Sequence, residues 1–529
     1  MRPFLALAAA LLLAGCSSAI PLSTRPVSGG ILALTLTGDP ATFNPALART
    51  GSALEVSGLL FAGLLMVDAQ GQFQPDLATG FQTLEGGRRY RVNLRPGLVW
   101  SDGAALTSAD VVFSYSRVYR DRRAQRSLDL QFKMSAIDDE SVEFVLPRAD
   151  SDFAAYLTLP VLPAHAFKDR TDPLAAWGLD TDPTSLPVSG PFQISRYTPG
   201  QNLQLTANPR YWRQPGGPYL AAITCAIVPD RAAALTRFRS GTSDAYRLVS
   251  EDYASLSAAQ GKGRFVLVNG GTEPPVYLAF NLNPPATAGD GVAGTALRRA
   301  LALAIDRRQL VQDALFATGE PGQGKFDPKQ AKAQLVAAGF KPGQGQPPAF
   351  ELVVNGDDPL QLRLANSVGE QLKAVGLSAT IRPLPKLALR NRILKTRQWQ
   401  AAVVDLKTLG ADPRVGDRFW RSDSPWHFFN LPASDRKDWR ASDWERQIDA
   451  TFDAPDPQAG RMRREQLLVA QQPLIELVRP LAIAAIRTDV REGRFSAVES
   501  AYTGRILANI WQVQKAPPAD AGSASTPGN

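Results

Sequence analysis

Cysteine and histidine are almost absent from this chain, which has two of each in 529 residues: Cys16, Cys225, His165 and His427. Two cysteines cannot build a disulfide framework, so stability has to come from a packed core. Neither histidine has a neighbour at metal-ligand spacing. No stretch has the form C-x-x-C, H-E-x-x-H or G-x-S-x-G, and the glycine cluster Gly343-Gln344-Gly345 lacks the Lys-Ser/Thr of a phosphate loop and reads as a surface turn. No nucleophile constellation remains, so no catalytic residue, metal ligand or cofactor is assigned. Long cationic runs are missing as well. The net charge of +8 comes from 58 cationic against 50 acidic residues, and the dense runs Arg120-Asp121-Arg122-Arg123 and Arg461 to Arg464 are solvated faces, too short for a nucleic-acid arm. No apolar run approaches the roughly 20 residues needed to span a bilayer.

What is present begins with an export signal. Arg2 supplies a positive start and Phe4 to Leu13 an apolar stretch of signal-peptide length. Leu13-Ala14-Gly15-Cys16 resembles the lipobox of bacterial lipoproteins. That resemblance implies that Cys16 is lipidated and becomes the mature N-terminus, tethered outside the cytoplasmic membrane. Several acyl chains hold stably where one holds marginally. Residues 17–30, rich in Ser, Pro and Gly, read as a tether, and 513–529 as a disordered tail.

Between these ends, 529 residues are more than one core organises, so two or three domains are expected. Alternation predicts strands over 31–36, 90–94 and 141–146, and one through Ile223, Cys225 and Ile227 that buries Cys225 as a small hydrophobe. Thr107 or Ser108 caps a helix with Asp110 in its first turn. Apolar periodicity predicts helices over 296–316, over 328–338 with Gly339 as stop, and over 361–375 ending at Gly376. Strands and helices alternate through the second half, which predicts α/β domains. His165 is expected to be structural. His427, in Trp426-His427-Phe428-Phe429, belongs either to a core or to the lining of a ligand cavity.

Several segments together resemble family 5 of the extracellular solute-binding proteins, which includes dipeptide, oligopeptide and nickel binders. The first is Asp39-Pro40-Ala41-Thr42-Phe43-Asn44-Pro45. The most specific runs from Tyr90-Arg91-Val92-Asn93-Leu94-Arg95-Pro96-Gly97 through Trp100-Ser101-Asp102-Gly103 to Leu106-Thr107-Ser108-Ala109-Asp110. Ser189-Gly190-Pro191-Phe192, Asn208-Pro209-Arg210-Tyr211-Trp212 and Ala304-Ile305-Asp306-Arg307 follow in order, and the matches span residues 31–512. The resemblance implies a periplasmic-binding-protein-like fold of two α/β lobes hinged about a ligand, with an extra domain inserted in the first. Lobe I would hold 31–60, 187–275 and 490–512, the insertion 61–186 and lobe II 276–489.

The same resemblance implies a monomeric, non-enzymatic, membrane-tethered protein that delivers a peptide or similar small polar ligand to an ABC permease. Nickel chelates, opines and sugars are alternative ligands, and presenting ligand to a membrane receptor is an alternative role. Peptide binders of the family hold the peptide ammonium with an Asp, because a buried ammonium needs a paired carboxylate. Here the matching segment is Leu406-Lys407-Thr408-Leu409-Gly410-Ala411-Asp412-Pro413. One alignment puts Leu409 at that position and another puts Asp412 there. By position, Ser52, Ala53 and Leu54 after the opening motif, and Tyr277, Phe280 and Asn281 on entry to lobe II, are further ligand-binding candidates. The connection 318–325 is shorter than relatives carry.

Overall fold

The computed structural model describes residues 26 and 28–515, except 122–131, 151, 169–171, 173, 175–181, 261, 263, 283–293, 338, 340–348, 432–440 and 455. Cys16, the start of the tether, Gly343 to Gly345 and the tail beyond Lys515 lie outside the described residues.

The first sheet is built by alternation. Strand Ile31–Leu36 pairs in parallel with Ala222–Ile227, and Asn202–Ala207 and Phe192–Thr198 follow antiparallel. Leu32, Leu34 and Leu36 face inward beside Ile223 and Cys225, every one of them buried. Burial pushes the Cys225 thiol far up, so it stays protonated as a small core group. A second sheet, in the order Ala78–Leu84, Arg89–Leu94, Ser141–Val145 and Lys133–Asp138, is antiparallel throughout. Beside it Trp100 is fully buried, and Thr107 caps a short helix in a reciprocal capping box with Asp110. Asp110 also accepts from the Trp100 indole at 3.4 Å and from Ala164 N at 2.7 Å. His165 is exposed and meets Asp102 at 2.9 Å.

The third sheet carries the hinge. Its order is Ala245–Arg247, Leu474–Arg487, Val276–Phe280, Ala401–Val404, Ala349–Asn355 and Ser378–Leu384. The long strand Leu474–Arg487 serves two pairing sets. Residues 481–487 pair with Phe265–Thr272 and Ala245–Arg247, whereas Leu474 to Pro480 pair with Val276–Phe280 and Gly319–Pro321. The change falls at Pro480, which lacks an N–H for the ladder. The other crossing, Glu273-Pro274-Pro275, lies between two strands that both pair with the long one. Two proline-marked crossings at one place make a hinge between two lobes. Beyond it the sheet is covered on both faces, with Leu278, Phe280, Leu352 and Val403 in one core and Ala279, Val353, Ala402 and Val404 in another.

One expectation changes. The periodic run 296–316 is two helices, Thr295–Ala304 and Arg307–Leu315, because Asp306 caps the second by accepting from Arg308 N and Gln309 N. The short connection after it is zipped onto the long strand through Gly319–Pro321, so it forms part of the sheet.

Candidate functional site

The helix Gly51–Leu60 starts on Thr50, whose hydroxyl accepts from Ala53 N at 3.2 Å. Val56, Leu59 and Leu60 join the hydrophobic core, Ser52, Ala53 and Ser57 are also buried, and Leu54, Ser57 and Gly58 face a cavity. Gly58 is required there, because a Cβ would lie 2.2 Å from the Thr503 carbonyl oxygen. This close approach brings residues 502–505 against the helix. Arg505 then donates to Gly58 O at 3.0 Å, and its guanidinium ends a stack that runs Arg95, Trp212, Arg213, Trp511, Arg505 with spacings of 3.8 to 5.4 Å. Each cation over an aromatic face contributes about 0.5–1 kcal/mol at exposed sites and more when desolvated.

A cavity of about 80 Å³ lies between this helix and residues 158–160, 502–505 and 412–414. It is lined by three arginines, Arg49, Arg414 and Arg505, and two carboxylates, Asp76 and Asp412. Small-molecule pockets usually measure about 300–1,000 Å³, so this closed space admits only a few non-hydrogen atoms and a larger ligand needs the lobes apart.

Both carboxylates already have cationic or N–H partners. Asp76 accepts from the Trp212 indole at 3.1 Å with Arg213 at 3.6 Å; burial pushes its carboxyl up, against the pull of Arg213. Asp412 accepts from Arg414 N at 2.9 Å as the cap of Pro413–Trp420, and from Arg414 Nη1 at 3.0 and 3.1 Å. The rest of that guanidinium reaches across the cleft. Nε donates to Thr158 Oγ1 at 2.8 Å, and Nη2 lies 3.4 Å from both Thr158 O and Tyr502 O. Burial pulls the Arg414 pKa down, and the Asp412 carboxylate more than reverses this, holding it above its ordinary value.

Other side chains close the same interface. Arg418 donates to Asp150 and lies 4.4 Å over the Tyr156 ring. Arg148 meets Asp423 at 2.7 Å, and Arg363 meets Glu251 at 2.7 Å.

Of the residues expected at the site, Leu54 and Asp412 line this cavity. Ser52 and Ala53 are buried in the first turn of the Gly51–Leu60 helix. Leu409 is fully buried under the third sheet, on a short helix ended by Gly410 at φ 89°. Phe280 is core, Tyr277 is half-buried on the opposite face of its strand, and Asn281 donates to Arg397 O and Trp399 O at 2.9 and 2.7 Å. His427 has no exposed surface. Its Nε2 meets Glu445 at 2.8 Å and its Nδ1 meets Phe419 O at 3.2 Å, so both ring nitrogens face acceptors.

Arg414, Thr158 and Tyr502 are absent from the sequence-derived set. The Asp-Pro-Arg order, a capping residue followed two positions later by its own cation, was the one local signal available for Arg414. Nothing local points to Thr158 or Tyr502, which arrive through the fold. Among the described residues no cluster of His, Cys, Asp and Glu is arranged to hold a metal, and no helix is long and apolar enough to cross a membrane.

The family described as bacterial extracellular solute-binding proteins, family 5 Middle, matches residues 72–425. The oligopeptide-binding protein AppA of Bacillus subtilis is 26% identical over 393 residues, 68% of this chain and 70% of that one. The dipeptide-binding protein of Escherichia coli is 23% identical over 68% of this chain and 74% of its own. Among solved structures, the ABC transporter substrate-binding protein CtaP of Listeria monocytogenes superposes with a TM-score of 0.74 at 21% identity, covering 92% of this chain and 99% of its own. These relatives are solute-binding transport proteins rather than enzymes.

Proposed function

The chain belongs to family 5 of the bacterial extracellular solute-binding proteins, and from that premise we propose that it captures a peptide or similar small polar ligand between its lobes. It then delivers the ligand to an ABC permease from a lipid anchor at Cys16. The observation that carries this reading is the cavity itself. Residues distant in the sequence, 49–67, 158–160, 412–414 and 502–505, meet around it, and among the described residues the chain crosses the long strand's change of partners at Glu273-Pro274-Pro275 and at Pro480. A ligand that binds only where those parts meet favours the closed form, and closure gives a permease one distinct shape to recognise.

Two kinds of relative support the ligand class. The oligopeptide-binding protein AppA is similar in sequence, 26% identical over 393 residues, and a solved neighbour from Agrobacterium tumefaciens, AgaA, was determined with agropinic acid. The second kind keeps a non-peptide ligand in view.

Deleting the gene from its host and following which small solutes leave the medium tests delivery. One class of solute is expected to stop being depleted, and to be depleted again when the intact chain is restored. The mass of the chain recovered from membranes should carry acyl groups on Cys16. Unchanged depletion of every solute would contradict the delivery role.

A further inference from the structure

We infer that Arg414 is a built-in occupant of the cation seat at Asp412, so that the cleft takes its ligand by a carboxylate and excludes a free ammonium at that point. The inference rests on the reading that this cavity belongs to the ligand cleft.

Asp412 is the one carboxylate of lobe II that lines the cavity. A ligand ammonium there needs its oxygens, and both already accept from Arg414 Nη1. The pair is local. One residue separates the partners, Pro413, which fixes the backbone between them, and the Asp412 side chain also caps the turn that carries Arg414. The contacts to Thr158 and Tyr502 cross between parts of the molecule and break when the lobes separate. The contacts to Asp412 stay within one turn and persist in the open form. An incoming ammonium must therefore displace a tethered guanidinium. Once displaced, that guanidinium would keep only the neutral oxygens of Thr158 and Tyr502 and would be a buried cation without its carboxylate, an unfavourable arrangement.

The remaining lining favours the opposite charge. Beside the Asp412–Arg414 pair it carries two guanidiniums, Arg49 and Arg505, against one carboxylate, and that carboxylate, Asp76, is itself held by an indole N–H and by Arg213. A ligand carboxylate meets positive potential and can take the place of Thr158 O and Tyr502 O at Arg414 Nη2, where the distances of 3.4 Å leave room for a shorter, charge-assisted bond.

The test offers the soluble chain two pools of the same tripeptides. One pool is N-acetylated with free carboxylates, the other C-amidated with free amines, and capture is read by native mass spectrometry in one competition. The wild-type protein should enrich the acetylated acids at least ten-fold over the amides. Arg414→Gln, which removes the charge and keeps the reach, should raise capture of amides at least ten-fold relative to wild type; Arg414→Lys should not. Preference of the wild type for amides, equal capture, or capture of neither pool overturns the inference. Capture of amides would leave the solute-binding reading intact, and ligand retained from the cell tests that reading independently.

Discussion

The buried Glu445 shows how much a single side chain holds in this protein. Its carboxylate, without exposed surface, accepts from His427, from Asn430 at 2.8 and 2.9 Å, and from Ser442 N and Oγ at 2.7 and 2.6 Å. Burial pushes this carboxyl up, but the hydrogen bond and charge of His427, together with Ser442, outweigh burial and hold it below the ordinary carboxylate value. Removing it strands several buried donors, so Glu445→Ala should destabilise the fold by about 3 kcal/mol in urea titrations. The pH dependence has a definite sign. The contribution is complete above the ordinary carboxylate pKa of about 4.3 and disappears as pH falls through the lower folded value. The stability gap between wild type and Glu445→Gln should thus be constant from neutrality to mild acid and shrink only under stronger acid. A gap that closed already near pH 6 would contradict this assignment. At this scale the sequence was informative wherever partners are neighbours: Thr107 with Asp110, and Cys225 inside an alternating strand. It was silent on His427 and Glu445, which are eighteen residues apart and meet only in the fold.

Elements were legible where periodicity and caps agreed. The helix Pro359–Lys373 begins at Asp358 and is followed by Gly376 at φ 86°, close to the expected bounds. The pair Thr295–Ala304 and Arg307–Leu315 was not separable by periodicity, because the apolar face continues through the break and only Asp306 marks it. Packing between elements was still less visible, since a glycine's neighbour is set by the fold. Gly58 is the clearest example. Its missing side chain lets residues 502–505 lie against the Gly51–Leu60 helix and brings Arg505 to the cavity. Gly58→Ala forces a backbone carbonyl to move and should cost about 1–3 kcal/mol as an overpacking change. It should also weaken capture of whatever ligand the wild type retains. Thermal melting and native mass spectrometry on the same preparation would check both, and full stability with full capture would show that the contact is not tight.

At the scale of the whole molecule, the family resemblance carried the two-lobe plan that Leu474–Arg487 and the Pro274-Pro275 crossing realise as a hinge. What no local pattern contained was the interface in which Arg414 reaches both Thr158, 256 residues away, and the backbone at Tyr502. Charges brought together from residues 49, 76, 412, 414 and 505 cannot be paired on paper without the fold. The central claim is that this interface closes on a solute, and its most direct test is native mass spectrometry of the soluble chain lacking residues 1–16, purified without unfolding. The account predicts an added mass that survives gentle ionisation, leaves on denaturation and returns when the stripped protein is incubated with a growth-medium extract. Bare polypeptide mass before and after that incubation would contradict it.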